Sequence, residues 1–282
     1  MSRLFRLFFL ALAGVSVVAR AQDFDYESML KTEPRQNGVF FTVATGVGYF
    51  QDIQVPMNQR TGVRANGSTD SAEHLTHLGI PIAVSLGQER KFAGGWQLRP
   101  WEVMASKMGA SNGAAGTNNA TYSRLAFRSG LGHSWTLNTW QLDLGGNLEL
   151  RRSAFGNAAE AHFINATLIG SQIRLGRGGY SLEIGGELAG NASFGYSPTG
   201  FLGGSQFPGS TARMMGYSVT NAFLLDRNVW LDLGFAAEVA SVEIPDVSFY
   251  QGYGLSARNL DSSSRSYKLT TQTVRLGLRR LF

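Results

Sequence analysis

The sequence contains no cysteine in 282 residues. That excludes a disulfide framework and a lipid-modified N-terminal cysteine. Charge is scarce as well: Asp, Glu, Lys and Arg make up 16% of the chain, against about 25% in ordinary soluble domains. After residue 20 no apolar run approaches the about 20 residues that a spanning helix requires. The formal charge of +5 also shrinks on inspection. Arg3, Arg6 and Arg20 stand in a leading segment without acids, and without them 22 basic residues face 20 acidic ones. A balance of +2 gives no reason to expect a nucleic-acid partner. There is no glycine-rich phosphate loop, no His-Glu-x-x-His and no Gly-x-Ser-x-Gly. No cofactor is called for by these patterns.

What is present begins with an export signal. Arg3 and Arg6 precede an apolar run from Leu7 to Val18, and Ala19-Arg20-Ala21 then offers an A-x-A cleavage site before Gln22. Basic, apolar and small-residue regions in that order predict a signal peptide over 1–21, removed between Ala21 and Gln22. Residues 22–37 are polar and read as a periplasmic lead-in. Residues 38–282 carry a different pattern: segments of alternating apolar and polar residues, separated by turn residues. Leu78, Ile80, Ile82, Val84 and Leu86 alternate with Gly79, Pro81, Ala83, Ser85 and Gly87. A period of two with one apolar face is a strand between two environments.

About ten such segments occur, with eight or twelve as alternatives. Short connections at 91–95, 137–139, 177–179 and 226–228 alternate with long ones at 52–74, 110–120, 194–210 and 246–265 and a lesser one at 154–160. The expected fold is all-β: a transmembrane, antiparallel, up-and-down barrel with short periplasmic turns and long external loops. Bulges are expected at Pro81, which lacks a ladder donor, and at Arg99-Pro100, where the apolar parity changes. Trp96, Trp135, Trp140, Tyr180 and Phe282 are expected in one aromatic girdle, and Tyr49, Tyr122, Tyr217 and Tyr267 in the other.

The last strand sharpens this reading. Val274, Leu276 and Leu278 alternate with Arg275, Gly277 and Arg279, and the chain ends on Phe282. Here the sequence resembles the bacterial outer-membrane β-barrels, whose closing strand alternates and ends in Phe. Arg280 departs from the pattern. The resemblance implies an assembly signal at Val274, Leu276, Leu278 and Phe282, read by the barrel-assembly machinery after escort by periplasmic chaperones. It also implies a cell outer-membrane location, among outer-membrane lipid and lipopolysaccharide, with both termini periplasmic. A secreted soluble barrel would explain the alternation but not the terminal Phe or the clustered Trp.

The inward face predicts a network of charges: Arg124, Arg128, Asp143, Glu149, Glu183, Glu187, Asp232, Glu238, Arg275 and Arg279. Buried charges must be paired. Arg124 and Arg128 are expected beside Asp143 and Glu149. Counting from the shared end pairs Asp232 with Arg279 and Glu238 with Arg275. Such a lumen would conduct poorly, and the expected function is a structural or surface-interaction role. A narrow porin-like channel for small solutes is the alternative. A hydrolase is the third reading, but the family patterns do not match. Omptin proteases carry an Asp-x-Asp pair facing Asp-x-His; here Asp23-Phe24-Asp25 precedes the first strand and no Asp-x-His occurs. Lipid-A deacylases use His-x-Ser, whereas His133 and Ser134 are adjacent and fall on opposite faces. His74 and His77, near Asp70 and Glu73, read as part of a solvated loop rather than as metal ligands.

Overall fold

The computed structural model describes residues 37–54, 73–111, 119–156, 161–197, 203–206, 210–244 and 265–282. The expected signal peptide and nearly all of the lead-in lie outside them. The strands are β1 (Gly38–Gln54), β2 (Glu73–Lys91), β3 (Trp96–Ser111), β4 (Asn119–Leu137), β5 (Trp140–Gly156) and β6 (Ala161–Arg177). They continue with β7 (Tyr180–Ser197), a two-residue β8 (Ser205–Gln206), β9 (Thr211–Asp226), β10 (Val229–Ile244) and β11 (Arg265–Leu281). All but β8 form one antiparallel sheet in chain order. β1 pairs with β11, so the sheet closes into a ten-stranded up-and-down barrel. Closure pairs every barrel strand on both sides, although the β7–β9 ladder covers only part of those two strands.

The seam is tight. Phe282 N donates to Val39 O at 2.8 Å, and Phe40 to Phe50 pair with Leu281 to Thr271. At the turn end of the barrel, Asn138 adopts φ 57 and Gly178 φ 54. These are left-handed positions that Asn and Gly tolerate in two-residue turns. The barrel strands run 16 to 19 residues, well beyond the nine to eleven that a membrane band needs.

The wall faces outward with its apolar residues. Leu78, Ile80, Ile82, Val47, Ile169 and Leu188 are each at least 60% exposed. A continuous exposed apolar surface of this kind is stable only against another apolar medium. One outward polar residue, Asn221, is satisfied by the Tyr180 hydroxyl, which donates to its Oδ1 at 3.0 Å.

Register shifts mark where alternation breaks. One lies between Arg99 and Glu102, at the expected Arg99-Pro100 position. Another separates Thr167 from Leu168, with Gly190 as the extra residue opposite, which explains the irregular start of β6 in the sequence. At Pro81 the expectation is corrected. Thr45↔Ile82 and Gly48↔Gly79 keep one register, and Pro81 still opposes Met108. The missing N–H leaves a gap in the β1–β2 ladder but inserts no residue. The 194–210 segment, expected as plain loop, contributes β8, which pairs with Gly195 and Tyr196 of β7. β8 takes up the β7 edge where the β7–β9 ladder stops at Leu188↔Met215.

Candidate functional site: a layered lumen

Alternation turns the other face of each strand inward, and the lumen sorts by height into three layers. Nearest the turn end, Arg99 pairs with Glu89 at 2.5 Å and Glu102 at 3.2 Å. Arg174 pairs with Asp143 at 2.6 Å. Arg279 Nε lies 3.2 Å from Asp232 Oδ2. Register places Asp232 opposite Gly277, two residues from Arg279, a diagonal that a long side chain spans. Asp143 also accepts from Ser134 Oγ at 2.6 Å and Gln141 Nε2 at 2.7 Å. Asp143 therefore belongs with Arg174 across the β5–β6 pair rather than with Arg124 and Arg128, as counting along the chain had suggested. Glu183 faces the same layer with no ion pair among the described residues.

The middle layer is a closed network of six residues. Glu149, whose side chain is fully buried, accepts from Arg124 at 2.8 Å, Arg128 at 2.7 Å and Arg151 at 2.5 Å. Arg151, equally enclosed, binds Glu149, Glu187 and Glu238, the last at 2.6 Å. Arg128 also reaches Glu187. Three arginines thus meet three carboxylates. The expected Glu238–Arg275 pair is corrected here. Register sets Glu238 opposite Thr271 and Arg275 opposite Gly234, a separation of about 13 Å along the strands at about 3.3 Å per residue. Arg151 instead crosses the lumen from β5 to meet Glu238. Arg275 has no ion pair among the described residues. The sequence reading missed Arg151 and Arg174 as partners. Both sit at inward parity, and that parity was the available signal.

At the loop end the lumen is apolar. Phe50, Met108, Tyr122, Phe155, Leu168 and Phe194 belong to one buried cluster, with Phe155 5.1 Å from Tyr122 and Tyr122 6.1 Å from Phe50, ring to ring. Tyr122 is therefore a lumen residue and not part of an outer girdle. His77 lies in this layer too, buried and stacked on Phe50 at 5.0 Å. It is not part of a solvated loop. The His74 side chain and Asp70 lie outside what is described.

Outside the barrel, the turn end carries Trp96, His133 and Trp135, with ring separations of 5.1 and 4.4 Å, and Phe282 beneath the Arg280 guanidinium at 5.1 Å. His133 thus lies between two tryptophans, edge-on to Trp96 and tilted against Trp135, away from Ser134, which faces Asp143 in the lumen. Toward the loop end the outward positions become cationic. Lys107, Arg213 and Lys268 are exposed, and Arg213 and Lys268 flank Ser241 in one row. Arg152 covers the Phe163 ring at 3.9 Å and donates to Gly203 O at 2.6 Å.

No protein-family model matches the chain, and no curated protein matches it. Among solved structures, Neisserial surface protein A is 11% identical, with TM-score 0.36 over 87% of this chain and 99% of that one. The outer membrane protease OmpT of Escherichia coli is 10% identical, with TM-score 0.39 over 88% and 97%. An outer membrane channel of Pseudomonas putida F1 is 13% identical, with TM-score 0.37 over 93% and 99%. The chain's own closed ten-stranded sheet and apolar exterior are the architecture of a small bacterial outer-membrane β-barrel.

Proposed function

We propose that this chain is an integral outer-membrane protein with a structural or surface-interaction role and a lumen closed to ion flow. One observation carries the reading: two successive layers of side chains cross the barrel. The middle layer ties Glu149, Arg151, Glu187 and Glu238 across the lumen, and an apolar layer stands above it. Water and ions meet first a charge network of three arginines and three carboxylates, then a layer that is mostly apolar. About eight strands give an interior that side chains just fill, and this barrel has only two more.

Several features support the orientation with both termini and the short turns in the periplasm. The Trp-rich ring marks one interface. The exposed cations Lys107, Arg213 and Lys268, the last two in one row beside Ser241, suit the phosphate-bearing headgroups of lipopolysaccharide at the other. The exposure of Phe282, Leu276 and Leu278 supports reading the closing strand as the segment offered to the assembly machinery. The role is proposed as non-enzymatic, since Glu149, Glu187, Glu238, Asp143 and Asp232 are each held by arginine. The test is single-channel recording on the refolded protein in a planar bilayer. Long silent intervals are expected. A large, steady conductance would sink the closed-lumen reading and promote the porin-like one.

A further inference from the structure

The outer wall changes character at one height. On β5, Leu150 points outward between Glu149 and Arg151, which are buried in the lumen, and parity turns Arg152 outward as well. Leu150 is the eleventh residue from the turn end of β5 and Arg152 the thirteenth. An apolar band of about nine to eleven residues therefore ends between them. The neighbouring strands agree. Counted from their turn ends, Thr167 and Asn165 are the eleventh and thirteenth residues of β6, and Asn191 and Ser193 the twelfth and fourteenth of β7. Register sets these polar residues side by side: Arg152 opposes Asn165, Asn165 opposes Ser193, and Thr167 opposes Asn191.

A hollow of about 690 Å³ lies in the outer wall across this boundary, within the about 300–1,000 Å³ usual for ligand pockets. Leu125, Phe127 and Leu150, each more than 40% exposed, line its membrane side. Arg152, Asn165, Asn191 and Ser193 line the side nearer the loops. That polar side is a built surface. Arg152 donates to Gly203 O at 2.6 Å and to Asn165 Oδ1 at 3.3 Å, and Gln206 of β8 donates to Ser193 Oγ at 2.8 Å. On the other flank, the exposed Lys107 opposes Ser123, one outward step nearer the loop end than Leu125.

We propose that this groove holds one molecule of lipopolysaccharide by its acylated, phosphorylated sugar base. The acyl chains lie along Leu125, Phe127 and Leu150. The sugar hydroxyls and amides meet Asn191 and Ser193, side chains that both donate and accept. A phosphate accepts from Lys107. The amide- and hydroxyl-lined wall selects against a phospholipid such as phosphatidylethanolamine, whose head offers a phosphate but no hydroxyls. The site rests on the orientation proposed above, with the loop end outside.

The probes are purified lipid A and phosphatidylethanolamine, added to the refolded full barrel in detergent micelles. Native mass spectrometry counts the lipid retained, and thermal unfolding reads its effect. One lipid A per barrel is expected, in preference to phosphatidylethanolamine, with an unfolding midpoint that rises with lipid A concentration. Asn191→Leu and Lys107→Met change exposed positions, so both should fold. Each should bind lipid A about tenfold more weakly, or about 1.4 kcal/mol, the loss of one polar contact. Ser171→Leu, an exposed change on β6 inside the apolar band, should bind as the parent does. Absence of lipid A retention by the unmodified protein overturns the site. Equal retention of phosphatidylethanolamine overturns it too, as does undiminished binding in both groove variants or an equal loss in Ser171→Leu. Micelle binding does not depend on orientation, which epitope labelling on intact cells reads separately. Loops labelled outside with no lipid A bound would overturn the site and leave the orientation standing.

Discussion

Replacing Arg151 by Met tests the middle layer at its most connected point. The side chain is 1% exposed and holds three carboxylates. Their fates on its removal differ. Glu149 keeps Arg124 and Arg128, and Glu187 keeps Arg128. Glu238 loses its only ion pair among the described residues. The cost is therefore mainly that of one orphaned buried carboxylate, about 3–5 kcal/mol. Glu238→Gln alone should cost less, because Arg151 retains two carboxylates. The double variant should recover part of the loss, with a coupling of about 0.5–3 kcal/mol. The measurement is urea unfolding of the refolded barrel in lipid vesicles, all four proteins compared under one condition. Additive losses, or a loss below about 1 kcal/mol in Arg151→Met, would refute the hub. Glu238 paired with Arg275 would give the opposite pattern, with coupling between those two and none to Arg151.

The apolar layer makes a separate prediction: Phe155→Ala should destabilise by about 3–5 kcal/mol and raise the frequency of channel openings, read by unfolding and bilayer recording on one preparation. A Cβ at Gly46 would meet Val274 O at 1.9 Å, so Gly46→Ala should strain the β1–β11 seam by about 1–3 kcal/mol, seen as a lowered temperature of the heat-modifiable gel shift. Deleting Phe282 removes its 2.8 Å bond to Val39 O along with the terminal aromatic; the folded fraction in outer-membrane preparations should fall, and an unchanged fraction would count against the assembly role. An epitope inserted after Gly116 should be labelled on intact cells and one after Gly178 should not, with the reverse pattern overturning the orientation.

Much of the wall was legible in the sequence because a strand writes its two environments at a period of two. Leu78 to Leu86 declared an outward face without reference to anything else in the chain, and ten such segments with short and long links specified an up-and-down meander. Parity likewise named which charges point inward, Glu149 and Asp232 among them. Partnership was a different matter. Whether Glu238 meets Arg275 or Arg151 depends on register, which closure of the sheet fixes, and on which strands face one another across the lumen. No local pattern encodes either. The apolar layer at the loop end was hidden for the same reason: Phe50, Phe155 and Phe194 interrupt an otherwise polar inward face and read singly as exceptions to alternation. Closing the barrel brings them to one height, where they exclude water together. The sequence by itself determined the strands and their two faces, because those follow from local alternation. Only the tertiary structure decided the pairing of charges and the apolar layer, because each depends on distances across the lumen between residues far apart in the chain.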